Sequence, residues 1–247
     1  MITLREIWRY PIKSHSREQL AEISVTAGQS LPRDRIFAVA HDASDADGST
    51  WAPCTNFSIG AKAPMLTAVN SDWSDDGDSV TLTHPNRDPI TLRPDHDSDA
   101  LIAWTKGMIP ENRAQSARLI SARARGMTDT DYPSISIGNL ASHRDLEQRM
   151  GLSLSHLRWR TNLWLDGAAP WAEFDWIGQS IRIGDVIFDI KEPVKRCLAT
   201  TANPATGERD ADTLNALNAM GHQNFTVYAV ARSSGNIREN DPVEVIT

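Results

Sequence analysis

Two cysteines, Cys54 and Cys197, are the only thiols in this chain of 247 residues. Cys197 closes the run Pro193-Val194-Lys195-Arg196-Cys197, so two cations stand directly before it. Neighbouring cations favour ionisation of a thiol, and a thiolate is both a nucleophile and a soft metal ligand. The competing reading is a small apolar residue buried in a core, the commoner state of a free cysteine. Other chemistry-bearing residues gather at the ends of apolar runs. Lys13 and Ser14 follow Tyr10-Pro11-Ile12, and Arg33-Asp34-Arg35 precede Ile36-Phe37. Arg158, Arg160 and Asn162 alternate at period two, which predicts one strand presenting all three on one face. Brought together, such cations, hydroxyls and an amide would suit a phosphate-bearing heteroaromatic ligand. Taken singly, each arginine reads first as a solvated charge paired with one of the 32 carboxylates.

Several chemistries lack their patterns. There is no glycine-rich nucleotide loop and no Gly-x-Ser-x-Gly nucleophile elbow. The seven histidines show no His-x-x-x-His spacing, and His84, His96 and His143 are expected at the surface. Two cysteines cannot supply the four thiolates of an ordinary iron–sulfur cluster, so no cluster of its own is expected. Electrons, if used, must come from a partner or another cofactor. The formal net charge of -7 argues against general binding to nucleic acid or an anionic membrane. No apolar run approaches the ~20 residues that span a bilayer, and Met1-Ile2-Thr3-Leu4-Arg5-Glu6 lacks a signal-peptide core. A cytoplasmic location is the default expectation, without a disulfide framework.

The elements that must carry these residues read as a mostly β, α+β protein with two β-barrel-like lobes and a few short helices. The boundary is expected near residues 95 to 115, giving lobes at 1–100 and 101–247. Strands are predicted at Leu20–Thr26, Arg35–Ala40, Met65–Val69 and Val80–Thr83, the last pairing with Ile90–Leu92. Later strands are predicted at Arg160–Leu165, Ser180–Ile183, Val186–Ile190, Phe225–Ala231 and Val243–Ile246, with Gly184-Asp185 as a hairpin turn. Helices are predicted near Asp99–Gly107, Asn139–Met150 and Thr213–Met220; Ser142 is the expected cap of the second, and Gly151 its stop.

With these residues in view, the chain resembles the MOSC family, named for the C-terminal domain of molybdenum cofactor sulfurase. Tyr10-Pro11-Ile12-Lys13-Ser14 and Asp34-Arg35-Ile36-Phe37-Ala38-Val39 are similar to the β-barrel domain that precedes MOSC in amidoxime-reducing enzymes. Arg158-Trp159-Arg160-Thr161-Asn162-Leu163 resembles the family's Phe-Arg-Pro-Asn-Leu strand, and Pro170 to Gly178 its next element. Arg196-Cys197, Asn203-Pro204-Ala205-Thr206-Gly207, Phe225-Thr226-Val227-Tyr228 and Gly235 to Val243 follow in family order.

The resemblance implies a molybdenum–molybdopterin cofactor, with Cys197 as catalytic residue and protein ligand to the metal. It implies that Lys13, Ser14 and Arg35 hold the cofactor phosphate. Arg160, Lys195, Arg196 and the loop from Asp131 to Ser134 would line the pterin and the sulfur, with Asn162 and Tyr228 nearby. Glu173 and Trp176 read as structural. The implied activity is reduction of a small N-oxygenated compound, such as an N-hydroxylated base or amidoxime. Electrons would come from a separate flavin or iron–sulfur reductase. The alternatives are a carrier of persulfide sulfur or of the cofactor, using Cys197, and a relative that has lost its cofactor. The chain departs from the family at Thr161, at Asn240 and over Phe57–Ala63, the last of which borders the substrate mouth in relatives.

Overall fold

Alternating apolar side chains dictate most of the architecture. In Ile181-Arg182-Ile183 and Val186-Ile187-Phe188-Asp189-Ile190, every second residue is buried in one core while its neighbours face outward. The structure is a computed structural model that describes residues 1–246. The first part of the chain forms β1 (Ile2–Arg9), β2 (Glu18–Leu20), β3 (Glu22–Val25), β4 (Phe37–His41), β5 (Asn70–Trp73), β6 (Val80–His84) and β7 (Arg87–Leu92). Then come α1 (Ser98–Thr105), β8 (Ser116–Ser121), β9 (Ile135–Asn139), α2 (Leu140–Met150), β10 (Leu163–Asp166) and α3 (Ala172–Asp175). The chain ends with β11 (Ser180–Ile183), β12 (Val186–Lys195), α4 (Thr213–Ala219), β13 (Asn224–Ala231), β14 (Gly235–Arg238) and β15 (Pro242–Ile246). The protein is thus mostly β with four short helices among the described residues.

Seven strands close a barrel in the order β10-β9-β13-β12-β11-β15-β1, and β1 pairs back onto β10. The β9–β10 pair is parallel and the other barrel pairs are antiparallel. Closure removes the exposed edges that an open sheet would leave. Leu4 and Ile7 of β1 pack with Ile137, Leu165, Ile181, Phe188 and Val227 in the barrel core. The first strand of the chain therefore completes a barrel whose other strands lie between residues 135 and 246.

A second core lies under the pairs β4–β8 and β5–β6–β7 and under α1. Ile12, Phe37, Val39, Leu66, Val80, Leu82 and Leu101 meet there. Arg17 ties the lobes together: it is buried and donates to Thr67 O at 2.8 Å and to Pro204 O at 2.7 Å.

Three local expectations are corrected. Pro64–Ala68 is a 3-10 turn, not a strand: Pro64 starts it, and Thr67 Oγ1 bonds back to Pro64 O at 2.7 Å. Helix α2 is capped by Asn139, whose side chain accepts from Ala141 N, while Gly151 stops it at a φ of 63°. Ser142 instead donates from the helix to buried Glu173 at 2.8 Å. His84 and His143 are buried, the latter between Leu154 O at 2.9 Å and Trp159 Nε1 at 3.1 Å.

A cation-lined cavity holding both thiols

Between the lobes lies a cavity of about 430 Å³. Its floor is made where strands end or break. The Arg158-to-Asn162 segment does not form the predicted strand. His156–Trp159 is a 3-10 turn, Arg160 takes a left-handed φ of 50°, and β10 begins only at Leu163. The side chains therefore diverge: Arg158 and Arg160 line the cavity, while Asn162 points into the fold. Asn162 Oδ1 accepts from Ser136 N at 3.1 Å and from Ser136 Oγ at 2.9 Å, so the amide positions Ser136, which does line the cavity.

Tyr10 is the platform on which two of the cations rest. It is fully buried, and its hydroxyl donates to Thr161 O at 3.1 Å. The Arg160 guanidinium carbon lies 4.4 Å from its ring centroid and that of Arg35 lies 5.0 Å away. Cations over a desolvated aromatic face gain from the ring quadrupole. Burial and the field of Asp34 raise the Tyr10 phenol to about 12, against the opposing fields of Arg160 and Arg35. Burial lowers Arg160 to about 10, which leaves it charged at neutral pH. Arg35 is anchored by Asp34 and donates to Arg160 O at 3.2 Å.

Lys13 enters from the turn after β1. Its ammonium donates to Met127 O at 2.8 Å and pairs with Asp129. Burial pushes the Asp129 carboxyl up, but the charges of Lys13, Arg35 and Arg160 outweigh it and hold the group well below the usual carboxylate range. Ser14, Arg35, Arg160 and buried Thr226 all adopt left-handed backbone, with φ of 65°, 54°, 50° and 68°. Such conformations cost of order 1–3 kcal/mol each outside glycine and collect at functional sites.

Cys197 follows a strand disturbed twice in its pairing with β13, between Ile190 and Glu192 and between Pro193 and Lys195. Bulges of this kind re-aim side chains beside sites. Cys197 is exposed and caps the 3-10 turn Leu198–Thr201. Arg158 braces that turn, donating to Thr200 O at 2.9 Å and to Asp210 Oδ1 at 3.2 Å. Arg196 turns inward: it donates to Phe225 O and Trp159 O, each at 2.8 Å, and to Thr226. Burial lowers its guanidinium to about 10. Its role is to fasten the cysteine's neighbour to β13, while exposed Lys195 offers its charge at the rim.

Of the residues singled out from sequence, Lys13, Ser14, Arg35, Arg160, Lys195, Arg196, Cys197 and Tyr228 all line this cavity. Asp131 and Ser134 do not. Asp131 is exposed, and Ser134 Oγ accepts from Thr130 Oγ1 at 2.8 Å inside the loop. The loop reaches the cavity two residues earlier, through Asp129 and Thr130. Cys54, Ser136, Glu192 and the neutral stretch Ile59-Gly60-Ala61 also line it. The repeated Asp-Thr-Asp of 129–131 was the available signal for Asp129; nothing local marks Ser136 or Glu192.

No group of three or more His, Cys, Asp or Glu side chains able to hold a metal ion occurs among the described residues. A metal bound at Cys197 would have to arrive with ligands of its own. A pterin dithiolene brings such ligands, and its phosphate matches the cluster of Lys13, Ser14 and Arg35. The donor set thus fits that cofactor: one soft thiolate, a ring of cations and room for a heterocycle.

Two family models match successive parts of the chain. A family model described as MOSC N-terminal beta barrel domain matches residues 1–129, and one described as MOSC domain matches residues 128–244. Mitochondrial amidoxime-reducing component 1 of Mus musculus is 23% identical, with 99% of this chain and 82% of that protein aligned. The molybdenum cofactor sulfurase of Drosophila mojavensis is 34% identical over 36% of this chain, and that of Drosophila grimshawi 31% over 44%. The match spans only 12% and 15% of those two sulfurases. Among solved structures, the YUAD protein of Bacillus subtilis aligns over 99% of this chain and 96% of its own at 11% identity, with a TM-score of 0.47.

Proposed function

The chain belongs to the MOSC family, and from that premise we propose that it holds a molybdenum–molybdopterin cofactor and reduces small N-oxygenated compounds. The observation that carries this reading is the exposed Cys197 thiol in a cavity walled by Lys13, Arg35, Arg158, Arg160 and Lys195. The full-length similarity to an amidoxime-reducing component supports the reaction class. Bound there, the cofactor would supply the two electrons needed to reduce an N–O bond. Lys13, Ser14 and Arg35 would hold its phosphate, and Arg160 with Ser136 would face the pterin. Lys195 would add positive charge at the rim.

Cleaving N–OH to N–H and water consumes two electrons and two protons. Asp129 is a poor proton source, because its cation partners keep it ionised. Glu192 is the cavity carboxylate that pairs with a phenol instead: Tyr132 Oη donates to it at 2.6 Å. We assign Glu192 the task of passing protons inward from the rim. The neutral wall of Ile59, Gly60 and Ala61 would receive the apolar body of the substrate. Electrons would come from a separate flavin or iron–sulfur protein. No helix is long and apolar enough to cross a membrane among the described residues.

The test is turnover with reduced viologen as donor and benzamidoxime as substrate, using cofactor-loaded chain. The reading expects benzamidine to accumulate over many turnovers with wild type and none with Cys197→Ser. Stoichiometric sulfur or cofactor transfer without turnover would replace it with a carrier function.

A further inference from the structure

The chain's two thiols, far apart in sequence, line one cavity from opposite lobes. Cys54 starts the 3-10 turn Cys54–Asn56, and Ile59, Gly60 and Ala61 line the cavity on the same side. The two walls are fastened together. Arg209 donates to Ala61 O at 2.8 Å on one side and to Leu198 O on the other. A Cβ placed on Gly60 would lie 3.6 Å from the Ala199 Cβ, so the walls already touch two residues beyond Cys197. Burial, Asp129 and Cys197 push the Cys54 thiol up, against the opposing field of Lys13.

We infer that Cys54 and Cys197 form an intramolecular disulfide site, closed by a hydroperoxide when Cys197 carries no metal. Cys197 is the attacking thiol, being exposed and beside Lys195, whereas Cys54 is half-buried and resolves the product. In the first step the Cys197 thiolate takes the terminal peroxide oxygen: an S–O bond forms, the O–O bond breaks, and hydroxide leaves to be protonated to water. In the second, the Cys54 thiol gives up its proton as it attacks the Cys197 sulfenic sulfur: the S–S bond forms, the S–O bond breaks, and the hydroxide leaves with that proton as a second water. Two thiols lose two electrons and two protons, and one hydrogen peroxide becomes two waters. The bond would keep Cys197 off the irreversible steps to sulfinic and sulfonic acid and leave it recoverable by a dithiol.

The experiment needs no bound cofactor and no activity, so it is decided independently of the reductase reading. The full chain, produced in a host unable to make molybdopterin, is treated with one equivalent of hydrogen peroxide. The expected result is loss of both titratable thiols, an intact mass lower by two hydrogen atoms, a monomeric product, and Cys54 and Cys197 peptides recovered joined. Dithiothreitol should restore both thiols, and Cys54→Ser, given a second equivalent of peroxide, should run on to sulfinic acid at Cys197. Sulfenic acid or a higher oxide at Cys197 with Cys54 still free in the wild-type chain would overturn the inference. So would disulfides that join two chains. The wild-type chain carries the decisive readout, so a poorly folded variant does not blunt the test.

Discussion

At the residue scale, Tyr10 and His15 show how a polar site is built into a dry interior. Tyr10 supports Arg35 and Arg160 on its ring and bonds Thr161 O with its hydroxyl. Tyr10→Phe keeps the ring and should cost about 1 kcal/mol. Tyr10→Leu loses the ring as well and should cost roughly 2–4 kcal/mol more, with cofactor retention lost alongside, as read by urea unfolding and pterin content. Equal losses for the two variants would contradict the platform role. His15 is fully buried, with Nδ1 2.8 Å from Lys13 O, and burial lowers it to about 4. The folded chain thus binds this proton less readily than the unfolded chain, whose histidine titrates near 6.5. Stability is full above pH 6.5 and falls as pH drops from 6.5 towards 4, by roughly 3 kcal/mol from this group. Denaturant midpoints of wild type and His15→Gln across that window check this: the variant's profile should be flatter there, and identical slopes would contradict it.

At the scale of elements, β1 is the piece whose place is least evident from its own position in the chain. It lies within the residues matched by the N-terminal domain yet closes the barrel between β10 and β15. Ile7→Ala should therefore destabilise the barrel by about 2–5 kcal/mol in denaturant unfolding, as a core truncation does. A loss confined to the other lobe, with near-ultraviolet signals of Trp164 and Trp176 unchanged, would contradict the shared barrel. The alternation of β11, β12 and β13 was legible in sequence because one face is apolar throughout. The Arg158-to-Asn162 alternation misled because Arg160 takes a left-handed turn, which a period-two pattern cannot register. β8 and β9 are not legible in sequence: Arg118 and Gly138 interrupt their patterns, and pairing partners distant in sequence make them strands. The cysteine and its flanking cations were legible as a site because their residue types carry the chemistry. The wall at Ile59–Ala61 was legible only as a departure from family pattern, and its position opposite Cys197 is a tertiary fact. Ile59→Arg should lower kcat/KM for an apolar amidoxime by about tenfold. An unchanged value would remove this wall from the substrate path.

At the scale of the whole molecule, a chain of net charge -7 keeps a strongly cationic cavity between its lobes. Low-dielectric walls focus that local field, so an anionic ligand would be attracted despite the overall sign. Added salt should weaken capture of free molybdopterin, since charges more than about 8 Å apart are screened at physiological ionic strength. Capture rates unchanged by salt would contradict the steering. The lobes, the cavity and the thiol gain a single function only if a metal centre sits on Cys197. The direct measurement is molybdenum and pterin content of the chain purified from a cofactor-competent host, alongside Cys197→Ser. The account predicts both in equal, near-stoichiometric amounts in wild type, and a loss of molybdenum in the variant. A folded wild-type chain with neither, or a variant retaining as much molybdenum as wild type, would contradict it.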